Sequence, residues 1–226
     1  MSLKLYYHPL SSFCHKALIA LYENGIAFEP VFVDLGDADS SAALRALWPV
    51  GKFPVLRDEA RGQTVAEATI IIEYLDLHYA GTRRMVPVDA DGAWQTRMWD
   101  RFFDLYVHVQ MQKIVGDNLR PAGSRDPYGV DQAKAAILNA YAMIDHSMAE
   151  RTWAMGDAYG LVDCAASPAL FYANCVLPID GTMPNLAAYY RRLMVRPSYA
   201  RALKGAEPYF RLFPMEPKPQ IPTEAH

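Results

Sequence analysis

Ser11, Ser12 and Cys14 lie where a short β-type run gives way to a helical pattern, and their side chains suit the chemistry of a sulfur anion. The first turn of a helix exposes backbone N–H groups without intrahelical partners and carries a partial positive charge, so it stabilises an anion such as a thiolate. A serine hydroxyl there donates a hydrogen bond to the thiolate and lowers the pKa of the thiol below its free value of about 8.5. Serine is also a favoured N-cap, so helix capping alone is the competing interpretation.

Two further segments have side chains suited to binding a peptide. Pro54 follows Phe53 directly before a predicted strand; in a cis X-Pro bond the N–H and C=O of the preceding residue turn outward, where an extended peptide pairs with them. An ordinary turn with a trans proline is the alternative. Glu67, ahead of Ala68 and Thr69, opens a predicted helix, where a carboxylate is also a common partner of the helix dipole. Each segment is ambiguous by itself.

Alternating strands and helices position these segments in the first third of the chain. The hydrophobic periodicity predicts the order βαβαββα. The strands are predicted at residues 3–7, 28–33, 55–57 and 63–65, and the helices from Ser11-Ser12 to Asn24-Gly25, at 40–47 and at 67–78. Pro30 places the second strand toward a sheet edge, because proline has no N–H for a ladder hydrogen bond.

The rest of the chain has only helical patterns, which predicts a second domain. They cover residues 89–118, 130–150, 161–175, 185–195 and 198–204, and the segment 121–127 separates the first two. We therefore expect an α/β domain at residues 1–81, a linker at 82–88, an all-helical domain at 89–213 and a proline-rich tail at 214–226.

Composition limits the classes of function. The 226 residues are 52% apolar with a net charge of −3, which excludes a disordered chain and a basic surface for nucleic acid or anionic lipid. The three cysteines, Cys14, Cys164 and Cys175, have spacings that fit neither a zinc site nor a disulfide framework, and no histidine has metal-ligand spacing. We expect a soluble, cytoplasmic, metal-free protein with no signal peptide or membrane helix, whose partners are small molecules or proteins.

The order of Ser11, Lys52-Phe53-Pro54 and Glu67 within a βαβαββα unit, followed by an all-helical half, resembles the cytosolic glutathione transferase family. The resemblance covers nearly the whole chain. It implies an α/β plus all-α fold, with a thioredoxin-like glutathione-binding domain followed by the helical domain. The run Ser11-Ser12-Phe13-Cys14 is similar to the serine-type active-site segment of zeta-like and related bacterial classes.

The resemblance implies a role for each matching residue. Ser11 is the catalytic residue and stabilises the thiolate of glutathione, with Ser12 as the alternative donor. Phe53 supplies the backbone that pairs with the cysteinyl part, Pro54 is the cis-proline, and Lys52 lies near the glycyl carboxylate. Phe13 belongs to the same glutathione-binding set.

The γ-glutamyl end has one departure from the family pattern. Glu67 would meet this end, and the family usually has Ser next, whose hydroxyl and N–H bind the γ-glutamyl carboxylate. This chain has Ala68, which keeps the N–H and loses the hydroxyl. A neutral hydrogen bond contributes roughly 0.5 to 1.5 kcal/mol, so the affinity for glutathione would fall by up to about tenfold. Thr69 is a candidate for compensation.

A second motif lies in the helical half. Residues 155–163 resemble the family segment G-D-x-x-S/T-x-x-D, with Gly160 in place of Ser or Thr. Glycine is a tolerated N-cap, and Asp163 three positions later can still accept from the cap N–H. Asp163 is therefore predicted to be structural.

The resemblance implies a glutathione transferase, a detoxification enzyme that transfers the thiolate to a small, mostly apolar electrophile. Leu10 and Tyr106 are the candidates for the substrate pocket between the domains, and the family usually forms homodimers. A non-catalytic interaction protein of the same fold is the rival hypothesis, slightly favoured by Ala68 and Trp48. A glutathione-dependent isomerase, dehalogenase or etherase would use the same thiolate.

Overall fold

A four-stranded mixed sheet organises the first third of the protein. The computed structural model describes residues 2–79, 81 and 83–222. The strands are β1 (Leu3–Tyr7), β2 (Glu29–Phe32), β3 (Val55–Asp58) and β4 (Gln63–Ala66), in the spatial order β2-β1-β3-β4. β1 runs parallel to β2 and antiparallel to β3, and β4 runs antiparallel to β3. Pro30 lies in the edge strand β2, as predicted.

Three helices pack on this sheet and complete the predicted order βαβαββα. They are α1 (Ser12–Glu23), α2 (Ala38–Leu47) and α3 (Ala68–His78). α1 ends at Asn24 and Gly25, where the φ of +60° at Gly25 is a left-handed conformation that glycine adopts without steric cost. The apolar faces of α1 and α3 form one buried core with the sheet, comprising Leu3, Leu5, Ala17, Leu18, Leu21, Leu56, Ile71 and Leu75.

The remainder of the chain is helical, as predicted. Its α-helices are α4 (Ala90–Phe102), α5 (Val109–Asn118), α6 (Pro127–Ser147), α7 (Leu161–Val176), α8 (Pro184–Met194) and α9 (Pro197–Ala206). Two short 3₁₀ segments lie at Ala122–Ser124 and Glu207–Leu212. α7 is buried over residues 161–173, which places it at the centre of the helical domain.

The helix predicted at residues 89–118 is continuous from Ala90 to Asn118, but it is not α-helical throughout. A π-helical segment, Phe103–His108, separates α4 from α5. An α-helix has about 3.6 residues per turn, so side chains four residues apart shift progressively around its surface. The wider turn of a π-helix offsets this shift and keeps such side chains on one face. Asp100, Asp104 and His108 follow this spacing, and all three are buried.

The predicted start of the next helix is also corrected. α6 begins at Pro127 and ends at Ser147, in place of residues 130–150. Proline fits the first position of a helix because the N–H that it lacks would have no intrahelical partner there. Asp126 provides the cap, since its side chain accepts from Gly129 N.

The two halves of the chain are joined by polar contacts as well as by packing. Glu23, at the end of α1, accepts from Arg196 Nε at 2.8 Å and from Ser198 Oγ at 2.5 Å. Tyr172 on α7 donates to the carbonyl of Leu10 at 2.9 Å. The loop between β1 and α1 is therefore held from the helical half.

Several expectations concern residues outside the described ranges. The predicted domain limits include residues 1, 80, 82 and 223–226, which the structure does not describe, and the limits stay predictions. None of the helices that the structure describes has the length and apolar character to cross a bilayer. Within the same ranges, no cluster of three or more His, Cys, Asp or Glu side chains is arranged to hold a metal ion; His226 lies beyond them.

Candidate active site

Ser11 is the N-cap of α1 and keeps a hydroxyl proton to donate. Its backbone is extended, with φ −75° and ψ 119°, and its Oγ accepts from Cys14 N at 3.3 Å. Its own N–H donates to the carbonyl of His8 at 3.0 Å. Because the cap bond uses a lone pair of the oxygen, the O–H of this half-buried side chain can donate to an anion at the helix terminus. Capping and thiolate stabilisation are thus compatible in one residue.

The side chain of Ser12 contacts the helical half of the molecule. It is buried, and its Oγ hydrogen-bonds to Nε2 of His108. The ring of Phe13 stacks on His108, with ring centroids 3.9 Å apart and 12° between the planes. Burial lowers the pKa of His108 to about 3, with help from the charges of Lys16 and His15, so the imidazole is neutral. Of the two serines, Ser12 is buried and bonded to the helical half, whereas Ser11 is only half-buried at the start of α1.

Cys14 packs inside the protein. Its side chain has no exposed surface. Burial raises the pKa of the Cys14 thiol to about 12, against the hydrogen bonds from Ser11 and His8 that lower it. The residue therefore stays a thiol at neutral pH and is not a nucleophile.

The strand register brings the second motif next to Ser11. The Phe53–Pro54 bond is cis, as the resemblance implies. Tyr6 pairs with Val55, so Pro54 lies opposite the end of β1, where the loop to Ser11 begins. Phe53 is half-buried and Pro54 buried, whereas the side chain of Lys52 is exposed. Lys52 can therefore reach a carboxylate at the protein surface.

The strand register also determines the position of the third motif, which begins at Glu67. Ala66 pairs with Val55, so Glu67 comes directly beside Pro54. Glu67 has φ 70° and ψ 120°, a backbone conformation that costs a residue other than glycine on the order of 1 to 3 kcal/mol and is typical of functional sites. It precedes α3 rather than forming its first turn, and its side chain is exposed without capping the helix. Ala68, next in the chain, is buried and offers its N–H.

Thr69 does not replace the missing hydroxyl at Ala68. Its Oγ1 accepts from Lys16 Nζ at 2.9 Å and donates to Asp100 Oδ2 at 2.8 Å. Arg101 Nη2 also donates to this oxygen, at 2.5 Å. The Thr69 hydroxyl therefore has all of its hydrogen bonds to protein groups beneath the first turn of α3, and none remains for a ligand.

A charged cluster that the sequence patterns did not predict lies under this turn. This charged cluster consists of Lys16 of α1, Asp100 and Arg101 of α4, and Asp104 of the π-helical segment. Lys16 Nζ lies 2.6 Å from Asp100 Oδ1 and 2.9 Å from Asp104 Oδ2. The side chains of Lys16 and Asp100 have no exposed surface, whereas Arg101 is half exposed. The one available signal was the regular four-residue spacing of Asp100, Asp104 and His108.

The two predicted substrate-pocket residues lie in different surroundings. Leu10 is half-buried and packs against the core of the helical half. Tyr106 is exposed on the π-helical segment, with its ring 5.5 Å from that of Phe102. A groove of about 800 Å³ between α5 and α6 contains neither residue. The shared pocket stays a prediction.

Comparisons with known proteins identify the family of this chain. The family model described as "Glutathione S-transferase, N-terminal domain" matches residues 5–83, and "Glutathione S-transferase, C-terminal domain" matches residues 105–197. The chain belongs to the glutathione S-transferase family. It is 24% identical to glutathione S-transferase GstB of Escherichia coli K12 over 190 residues, which is 83% of this chain and 91% of that protein.

Other members of the family are similar over most of their length. Probable glutathione S-transferase GSTU1 of Oryza sativa subsp. japonica is 30% identical over 195 residues, which is 81% of each chain. A crystal structure of a glutathione S-transferase from Methylobacillus flagellatus KT with glutathione bound is 26% identical. It superposes with a TM-score of 0.82, covering 89% of this chain and 98% of that one. In this structure the strand register brings the end of β1, the cis-proline and the start of α3 together at one end of the sheet.

Proposed function

We propose that this glutathione transferase binds glutathione along the edge formed by Ser11, the loop of Lys52 to Pro54, and the start of α3. The observation that carries the proposal is that the two serine hydroxyls have different partners. Ser12 is held by His108, while Ser11 caps α1 and keeps a proton to donate beside the cis-proline. Its relatives by sequence and structure are glutathione S-transferases, one of them with glutathione bound.

The tripeptide would be bound at three places. Lys52 faces the glycyl carboxylate, the outward backbone of Phe53 pairs with the cysteinyl part, and Glu67 takes the α-amino group at the γ-glutamyl end. The N–H of Ala68 donates to the carboxylate of the same end. Phe13 contributes through its position after Ser11, since its ring packs on the helical half.

The reaction requires only the thiolate and a leaving group. The thiol proton of glutathione passes to solvent, and the O–H of Ser11 donates to the sulfur anion that remains. The sulfur then forms a bond to the electrophilic carbon, and the leaving group departs with its electron pair. Leu10 and Tyr106 would contact the apolar part of this second substrate. With serine at position 11, no mixed disulfide forms there, which disfavours glutaredoxin-like exchange.

The experiment compares Ser11→Ala with Ser12→Ala. Ser11→Ala should lower kcat/KM with an aryl halide by about 10²- to 10³-fold, because it removes a donor aimed at the anion. Binding of glutathione measured by calorimetry should change by less than about threefold. If Ser11→Ala retains wild-type turnover and Ser12→Ala does not, Ser12 is the donor.

The same measurements separate the alternatives. A non-catalytic interaction protein would show no heat of binding at millimolar glutathione. If glutathione binds but the aryl halide is not turned over, a screen of isomerase, dehalogenase and aryl-ether substrates would identify the reaction. A role in detoxification requires that several unrelated electrophiles react.

A homodimer is part of the proposal. Ile70, Leu77 and Val88 line a groove of about 490 Å³ between α3 and α4, and each is at least half exposed. Exposed apolar side chains grouped in one groove fit a subunit interface. Sedimentation at micromolar concentration should give a dimer, and Leu77→Glu should shift it to a monomer. The three free cysteines fit the reducing cytoplasm.

A further inference from the structure

The charged cluster is balanced in charge but unequal in exposure. Two cations, Lys16 and Arg101, meet two anions, Asp100 and Asp104. The side chains of Lys16, Asp100 and Asp104 are at most 7% exposed, whereas that of Arg101 is 50% exposed. A buried cluster of this kind is stable only if each charge has a partner, and the exposed cation is the one member that can also meet a ligand.

Hydrogen bonds from Nε and Nη2 hold the guanidinium of Arg101 in place. Its Nη2 donates to Asp104 Oδ2 and to Thr69 Oγ1 at 2.5 Å each, and lies 2.8 Å from Asp100 Oδ2. Its Nε donates to the same oxygen of Asp100 at 3.2 Å. Within the residues that the structure describes, Nη1 has no hydrogen-bond partner. Two N–H donors therefore remain on a side chain whose orientation is already determined.

The guanidinium lies at the start of α3. Thr69, which accepts from Nη2, is in the first turn of this helix, next to the N–H of Ala68. The pKa of Arg101 is raised, because burial, which lowers it, is outweighed by hydrogen bonding to Asp100 and by the charges of Asp104, Asp100 and Glu67. Glu67 is exposed and directly precedes Ala68, so it stands at the same end of α3 as Thr69.

The start of α3 therefore has an acidic and a basic side chain. Glu67, at the N-cap, offers an exposed carboxylate, and Arg101 offers a guanidinium bonded to Thr69, the residue after Ala68. The γ-glutamyl end of glutathione has an α-ammonium and an α-carboxylate on one carbon. The pair on the protein is complementary to this zwitterion, and a guanidinium suits a planar carboxylate better than a hydroxyl does.

We propose that Arg101 binds the α-carboxylate of the γ-glutamyl group and takes the place of the serine hydroxyl that Ala68 lacks. The inference rests on the proposed function, since it assumes that glutathione is the ligand. It replaces the expectation that Ala68 weakens binding, because a charge-assisted bond is stronger than the neutral one that is lost. Asp100, Asp104 and Thr69 act as positioning residues for the guanidinium.

The test combines variants of the protein with variants of the ligand. Arg101→Gln should raise the Kd for glutathione, measured by calorimetry, by roughly 10- to 100-fold, and Arg101→Lys should recover part of the affinity. The second ligand is 4-aminobutanoyl-Cys-Gly, which keeps the amino group and lacks the α-carboxylate. Wild type and Arg101→Gln should bind it with Kd values within about twofold of each other.

The matched control is Arg120→Gln. Arg120 is 52% exposed and pairs with Asp117 three residues away, as Arg101 pairs with Asp104, but it lies just after the end of α5. Its loss should leave both Kd values unchanged. Thermal unfolding of each variant confirms that the protein is folded before binding is measured.

Two outcomes would overturn the proposal without touching the proposed function. One is a wild type that binds glutathione and an Arg101→Gln variant that binds it equally well. The other is an equal loss of affinity for both ligands in Arg101→Gln, which would show that Arg101 supports the structure rather than the carboxylate. A wild type that does not bind glutathione would instead contradict the proposed function.

Discussion

Two groups of buried acids stabilise this glutathione transferase, and they do so by different means. In the helical half, Asp163 accepts from Ala154 N at 2.9 Å, from Gly160 N at 2.9 Å and from Tyr189 Oη at 2.6 Å. Neutral donors satisfy it, and burial raises its pKa to about 6 against these hydrogen bonds. In the charged cluster, Asp100 and Asp104 instead face the cations Lys16 and Arg101.

The partners of the two groups of acids indicate different roles. The contacts of Asp163 lie within the helical half, at a helix start and a neighbouring helix, and they leave no group open to a ligand. The charged cluster spans 88 residues of chain between Lys16 and Asp104 and includes a half-exposed arginine bonded to Thr69 in the first turn of α3. The first group is structural, and the second connects the stability of the domain boundary to the predicted binding site.

The largest expected effect comes from removing the buried cation. Lys16→Met leaves Asp100 and Asp104 without the ammonium that faces them, and should lower the free energy of unfolding by about 3 to 5 kcal/mol. Urea unfolding at neutral pH measures it. Lys113→Met, on the exposed side of α5, is the control and should change it by less than about 0.5 kcal/mol. Equal effects of the two substitutions would contradict the importance of the cluster.

The pH dependence of stability should distinguish Asp163. Its pKa in the folded protein is about 6, above the ordinary 3.8, so the folded state holds more protons between these values. The contribution of Asp163 to the free energy of unfolding therefore falls as pH rises from about 4 to 6, by about 2 to 3 kcal/mol. Asp163→Asn cannot titrate, so the stability difference between wild type and variant should shrink over that range. A difference that is constant with pH would be the opposite result.

The smallest effects come from removing one hydroxyl in each group. Thr69→Val and Tyr189→Phe should each lower the free energy of unfolding by about 1 kcal/mol, the contribution of a typical hydrogen bond. Only Thr69→Val should also weaken glutathione binding, since Thr69 helps to hold Arg101. Calorimetry with both variants measures it. A loss of affinity in Tyr189→Phe would remove the distinction between the two groups.

The fold could be predicted from the sequence because its elements are specified locally. Alternating apolar residues predicted the strands, and Asn24-Gly25 predicted the end of α1. The hydrogen bond from Gly160 N to Asp163 was also predictable, since donor and acceptor are three residues apart. The roles of Ser11, Lys52, Phe53 and Glu67 toward glutathione came from the family resemblance and stay predictions.

The sequence by itself determined the two halves of the chain, the position of Ser11 at a helix start and the place of the cis-proline. Only the tertiary structure decided that Ser12 bonds to His108, that the Thr69 hydroxyl bonds to the charged cluster, and where Arg101 lies. Each of these depends on partners between 31 and 96 residues apart. Neither the type of a residue nor its local spacing indicates such a partner, because the burial that makes the pairing necessary arises only when α1, α3 and α4 pack together.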